Sequence, residues 1–254
     1  MPFEPQNILE RSLIKAAVDP AHRPQFYKDL IESNLFIIQE GPPPETSSKR
    51  VAGEGMTIQL RNIDWNGKQC LPAFSSLTRL QAVIPYEVAY LALNTLEFMK
   101  IIQGSEFFLN PGSEYGKEFT REEIGSLIDG SIWKTSEMHV MEKDLKVVIG
   151  EPANYPTELA NALTRYFRNT KSVKRAYLAH FFNPEYDEKP HTLIAVDFVG
   201  EWDSLMAGAG MVARDVHVPD PPVDFLPMSG SVGIEDYFRN ECKPFYQRKR
   251  FGIF

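Results

Sequence analysis

The chain has 254 residues, 43% of them apolar and 24% charged, with a formal charge of −7. That is enough chain for one large or two ordinary globular cores, and the composition is too apolar and too mixed for a disordered or fibrous protein. An acidic balance spread through the chain argues against a general nucleic-acid binder, which is usually basic over at least one domain.

The N-terminus MPFEPQNILERSL shows neither a basic n-region nor an apolar h-region, and no apolar run approaches the ~20 residues needed to span a bilayer. The expected location is therefore the cytoplasm, with no membrane partner. Cys70 and Cys242 lie far apart in sequence and build neither a disulfide framework nor a metal cluster.

Asn7, with Glu10 three residues on, opens an amphipathic helix that Asp19-Pro20 ends. A second helix starts near Pro24, with Phe26, Tyr27, Leu30 and Ile31 on its apolar face. Leu35–Ile38 reads as a buried strand. Gly41–Ser48, GPPPETSS, is a stiff segment without amide donors at its prolines. It is either a surface loop or a ligand for a proline-recognising groove. Met56–Leu60 alternates as a half-buried strand does, and Asn66-Gly67 predicts a hairpin joining it to Gln69–Phe74.

Ser75 or Ser76 caps a short helix through Val83, Tyr86–Leu93 reads as a strand, and Asn94 caps a helix that Gly104 closes. Phe107–Leu109 is a short buried strand. The turn residues Asn110-Pro111-Gly112 and Gly116 follow, and then a helix from Thr120 with Glu123 at the capping-box spacing. From Gln69 onward strands and helices alternate, which predicts parallel strands beside the hairpin, hence an α/β domain with a mixed sheet.

Asp129–Asp144 loses periodicity and is the candidate linker. Beyond it come a strand at Leu145–Ile149, a helix from Pro156, strands at Val173–Phe182 and Thr192–Val199, a helix over Glu201–Arg214, a strand at Val223–Leu226 and a last helix around Tyr237. Gly208 and Gly210 weaken their helix but allow close packing. The order β-α-β-β-α-β predicts a ferredoxin-like second domain, which fixes an architecture and not an activity.

Gly112–Lys117, GSEYGK, invites a phosphate-loop reading. The spacing fails it: three residues separate the glycines where four are needed, and Glu118 follows the lysine. Turn amides, Lys117 and the following helix start could still hold a small anion, or the turn is purely structural. His22-Arg23 offers an imidazole and a guanidinium to an anion, or Arg23 pairs with a nearby carboxylate. Arg248-Lys249-Arg250, interleaved with Tyr246, Phe251 and Phe254, reads as a contact for an acidic surface, or as a tail whose aromatics pack back. Asp197 lies within an apolar strand, so it is either buried with a partner or turned outward. The five histidines show no HxxxH or HxH spacing, and GxSxG and strand-linked GxGxxG motifs are missing from the sequence. The expectation is a protein without cofactor or metal. The candidate ligand or partner contacts are His22, Arg23, Glu114, Lys117, Glu118, Arg248, Lys249 and Arg250.

Five stretches together resemble a known family. DPAHRPQFYKDLIES (Asp19–Ser33), PAFSSLTRL (Pro72–Leu80) and FFLNPGSEYGKEFTREEI (Phe107–Ile124) are similar to the N-terminal domain of the SseB, or enhanced serine sensitivity, family. SVKRAYLA (Ser172–Ala179) and KPFYQRKRFG (Lys243–Gly252) resemble its C-terminal domain. The matches follow the family's order, with Pro42–Pro44 the point of departure. The resemblance implies domains over residues 1–132 and 140–254 of a bacterial cytoplasmic protein. It carries no catalytic residue set. Together with the absence of any catalytic or cofactor constellation in the sequence, it leads to the expectation of a non-enzymatic regulatory role through a protein partner, linked to serine or sulfur metabolism, with a sulfurtransferase-type enzyme as the partner class the resemblance suggests. A small anionic metabolite as ligand, or an immunity-like antagonism of another protein, are the alternatives.

Overall fold

A computed structural model describes residues 3–41, 59–133, 147–228 and 234–248. The chain divides into two compact units, Met1–Val18 with Gln25–Ile132, and Asp19–Pro24 with Trp133–Phe254. Residues 42–58 and 134–146 lie outside the described residues, and with them Pro42–Pro44 and most of the candidate linker.

In the first unit the order is α1 (Ile8–Val18), α2 (Arg23–Glu32), β1 (Asn34–Ile38), β2 (Ile63–Trp65), β3 (Lys68–Cys70), β4 (Pro72–Phe74), α3 (Leu77–Val83), β5 (Tyr90–Asn94), α4 (Thr95–Ile101), β6 (Phe107–Leu109), β7 (Lys117–Phe119) and α5 (Arg121–Ile128). The helix starts follow the sequence signals. Asn7 Oδ1 accepts from the Glu10 amide at 2.9 Å, and Ser76, Asn94 and Thr120 cap α3, α4 and α5 with their side chains. The five-stranded sheet runs β5-β1-β4-β6-β7. It is mixed, as expected, but only β4 and β6 pair in parallel; the other neighbours are antiparallel. The expected run of parallel strands fails because β5 crosses to the far edge of β1, where it does not neighbour β4.

The hairpin forms at Asn66-Gly67 but not with the expected strand: Ile63–Trp65 takes the place of Met56–Leu60, of which residues 56–58 lie outside the described residues and Leu60 bridges Gln39. Asn66 (φ 54°) and Gly67 (φ 78°) join Ile63–Trp65 to Lys68–Cys70, both turn residues in the left-handed region that such a two-residue loop needs. Gln69–Phe74 is therefore two strands, since Pro72–Phe74 leaves the hairpin to pair with β1 and β6. The turn after β6 is a hairpin too. β7 folds back on β6, and Phe107 stacks on its cross-strand partner Phe119 at 4.5 Å. A Cβ on Gly116 would lie 2.8 Å from the Asn110 carbonyl, so the return path admits no side chain there.

Glu10 is fully buried in this unit. Its carboxylate accepts from Ser75 Oγ at 2.7 Å, Ser76 Oγ at 2.8 Å, the Gln6 amide at 2.8 Å and Arg79 Nη2 at 3.0 Å. Asn110 extends the network, accepting from the Ser75 amide at 2.9 Å and donating to Ser75 Oγ at 2.8 Å. The network joins α1, the start of α3 and the end of β6.

The second unit contains β8 (Val148–Gly150), α6 (Thr157–Asn169), β9 (Val173–Phe182), β10 (His191–Phe198), α7 (Trp202–Arg214), β11 (Val223–Pro227), α8 (Ile234–Asn240) and β12 (Tyr246–Gln247). Leu178, Ile194 and Val196 face α6 and α7; Tyr177, Ala179, Phe181, Leu193 and Ala195 pack with Phe238 of α8. A Cβ on Gly208 would lie 2.0 Å from the Tyr166 hydroxyl, so glycine lets α7 pack this close to α6. Burial pushes that tyrosine's pKa up to about 12.

The element order is the one expected, but the ferredoxin-like arrangement is not formed. A split βαβ keeps the two strands flanking its first helix parallel and apart. Here β8 and β9 flank α6 and pair directly, antiparallel. The sheet runs β11-β10-β9-β12 with β8 also on β9, because β9 is long enough to hold two short strands on one edge.

Burial pushes the Glu10 carboxyl up, but the Arg79, Gln6, Ser75 and Ser76 hydrogen bonds outweigh it and hold its pKa below the ordinary value. A depressed carboxyl contributes stability that is present above its unfolded pKa and lost as pH falls through the folded one. Glu10→Ala should cost about 3 kcal/mol at neutral pH by urea unfolding, since it strands Arg79 without its carboxylate. Glu10→Gln should flatten the acid limb of the stability profile.

Candidate functional site

Strand β9 carries two exposed cations, Lys174 and Arg175, directly after its first residue, the buried Val173. β12 lies antiparallel beside this end, with Tyr246 opposite Ala176 and Gln247 opposite Arg175. Tyr246 anchors it by donating to the Phe167 carbonyl at 3.1 Å. The next residue, Arg248, donates its amide to the Lys174 carbonyl at 2.9 Å and its guanidinium to the Lys171 carbonyl. Arg168, at the end of α6, acts on Tyr246 as Arg248 does.

Alternation along β9 puts Arg175 and Tyr177 on one face. With Asp197 of β10, Met228 and Arg239 of α8 they line a recess of about 300 Å³. Arg175 Nη1 donates to the Tyr177 hydroxyl at 3.4 Å. Asp197 answers two cations loosely, with Lys174 at 3.5 Å and Arg175 at 3.6 Å. Arg239 pairs with the buried Glu235 at 2.9 Å. The Lys174, Arg175 and Arg239 side chains remain 51%, 50% and 54% exposed, so their positive charge faces solvent even where it is paired. Ion pairs this open contribute little to stability and yield readily to a better partner. Arg168, Lys171, Lys174, Arg175, Arg239 and Arg248 thus gather at one end of the sheet, with the paired Asp197 and Glu235 among them.

The opposite end of the sheet is acidic. His180 Nε2 lies 2.9 Å from Asp220, and His191 Nε2 lies 2.9 Å from Asp224 with its Nδ1 3.7 Å from Asp187. The hydrogen bond to Asp224 raises the His191 pKa, and the charges of Asp224 and Asp187 add to it against burial.

The residues singled out from sequence are distributed over both units. His22 sits in a 3-10 turn, Pro20–His22, and Arg23 pairs with Asp215 just past α7. Lys117 pairs with Glu123 at 3.0 Å, and the same carboxylate accepts from the Tyr27 hydroxyl. Glu123 therefore does not reach back to Thr120, as the capping-box reading had it. Glu114 is exposed in the turn after β6. Glu118 is exposed on β7 and borders a recess of about 290 Å³ with Cys70, Glu106 and Arg121. Arg248 belongs to the basic end; Lys249 and Arg250 lie outside the described residues. Sequence reading passed over Lys174, Arg175 and Arg239. The period-two alternation of Arg175 and Tyr177 was the signal available.

The SseB protein N-terminal domain matches residues 9–126, and the SseB protein C-terminal domain matches residues 141–248. The chain belongs to the SseB family. Protein SseB of Escherichia coli (strain K12) is 29% identical over 252 residues, covering 98% of this chain and 95% of that protein. Protein SseB of Shigella flexneri matches to the same extent, 29% over 252 residues. No solved structure matches the chain. Within the SseB C-terminal domain, the SVKRAYLA and KPFYQR stretches turn out to be neighbours, paired as β9 and β12. The basic end is built where they meet.

A raised histidine contributes stability that is fully present below its unfolded pKa and lost as pH rises through the folded value. His191→Gln should therefore lower stability more at about pH 5.5 than at about pH 8.5. Urea unfolding at the two pH values measures the gap, and an equal loss at both would refute the ion-pair assignment.

Proposed function

We propose that the chain is a non-enzymatic cytoplasmic binding protein that acts through protein–protein contacts made by the basic end of the second unit. The observation that carries this reading is the concentration of half-exposed cations around Tyr177 and Met228 in a chain whose net charge is −7. Arginine, tyrosine and methionine are the residue types that protein interfaces favour, and arginine and tyrosine dominate their binding energy. A localised positive field on an acidic protein selects an acidic partner surface and speeds encounter with it. The family resemblance suggests a partner concerned with serine or sulfur metabolism, which makes a sulfurtransferase-type enzyme the one to test. No nucleic acid or membrane is part of this reading.

The recess supports a second reading. Two guanidinium groups and a phenol around about 300 Å³ suit a small anionic metabolite, at the lower limit of ligand-pocket sizes. The two readings separate on size. Lys171→Glu/Lys174→Glu should weaken binding of a purified sulfurtransferase-type enzyme at least about tenfold, and wild-type affinity should fall with added salt. Binding that ignores both changes would contradict the protein-contact reading. A metabolite that raises the melting temperature of wild type but not of Arg175→Ala would favour the second.

A further inference from the structure

The loop Asn183–Pro190 is held in one shape. The Asn183 amide donates to Asp187 Oδ2 at 2.6 Å, and its side-chain oxygen accepts from the Glu185 amide at 3.0 Å. Its carbonyl accepts from the amides of Tyr186 at 3.1 Å and Asp187 at 2.8 Å. His191, buried behind the loop, faces Asp187. This turn presents Tyr186 outward, 78% exposed, with Glu185 and Glu188 exposed on either side and Lys189 beyond. A large aromatic on a fixed backbone loses little conformational entropy on docking.

The loop and the basic recess have complementary chemistry. A tyrosine ring suits a recess flanked by Arg175 and Arg239, where guanidinium groups can lie against its face and Met228 against its edge. Glu185 and Glu188 supply the charge that Lys171 and Lys174 lack beyond Asp197. The two features sit at opposite ends of β9, about 25–30 Å apart for a strand of this length, so one copy cannot bring them together. We propose that the acidic loop of one copy docks at the basic end of a second copy, with Tyr186 seated between Arg175 and Arg239.

The contact is head-to-tail and leaves one free end of each kind, so it extends into chains or closes into rings. It rests on the reading that the basic end is a contact surface. It adds a regulation to that reading: an acidic partner protein and a second copy compete for one recess, so partner binding dissociates the assembly.

Sedimentation velocity of the full chain tests this. Wild type should show a mass that rises with concentration at about 50 mM salt and returns to the monomer at about 500 mM. Tyr186→Ser, on a side chain outside the core, should weaken self-association at least tenfold. Glu185→Lys/Glu188→Lys and Lys171→Glu/Lys174→Glu should each be monomeric alone, and an equimolar mixture of the two should associate again. The mixture keeps the test independent of folding defects, because a misfolded variant rescues nothing. A wild type that stays monomeric at high concentration and low salt overturns the docking, as does association that survives all three variants. If wild type stays monomeric while the Lys171→Glu/Lys174→Glu change abolishes binding of the sulfurtransferase-type enzyme, the docking falls and the protein-contact reading stands.

Discussion

Strand β9 has ten residues, and its backbone must be satisfied on two edges while side chains cover both of its faces. β10 runs along one edge. The other edge is divided: β8 takes Phe182 to His180, β12 takes Ala176 and Arg175, and Cys242 Sγ reaches the Leu178 carbonyl between them at 3.4 Å. The end of the described chain must therefore return to the start of β9. That return sets Arg248 beside Lys174 and Lys171. The basic end follows from a backbone requirement, and the contact surface proposed for the second unit lies on the strand that organises its core.

The first unit uses its polar groups differently. The Glu10 carboxylate, Ser75, Ser76, Arg79 and Asn110 are turned inward and bonded to one another. Arg79 also lies 3.5 Å from the centre of the Phe3 ring, which closes over the guanidinium. Such a network fixes the register of α1 against the β4–α3 corner, because a shifted helix would strand a buried charge. Lys117 shows the same economy: at 3.0 Å from Glu123 and 30% exposed, it is bound more tightly than Lys174, at 3.5 Å from Asp197 and 51% exposed. The same residue type serves the fold in one unit and faces solvent in the other.

Much of this was legible in the sequence. The caps at Asn7, Ser76, Asn94 and Thr120 act within a few residues, and local signals of that kind are read directly. Val173–Phe182 was legible because ten alternating or apolar residues leave no other period. The short strands were not. Lys117–Phe119 and Tyr246–Gln247 have no periodicity of their own and are strands only because β6 and β9 offer them an edge. Strand order is not legible for the same reason: which edge a strand joins is decided by distant partners. The recess was invisible because Arg175, Asp197, Met228 and Arg239 are spread over more than sixty positions and meet only when β9, β10 and α8 pack. Glu10 was read as a helix-start residue, and its burial depends on Ser75 and Arg79, far along the chain.

Amide hydrogen exchange across a concentration series at low salt tests the central claim most directly, since it locates the contact surface residue by residue. Protection should rise together at Lys174–Tyr177, at Tyr246–Arg248 and at Glu185–Glu188, and nowhere in the first unit. Protection confined to the first unit, or no change at the start of β9, would contradict the docking of one copy's acidic loop on the basic end of another.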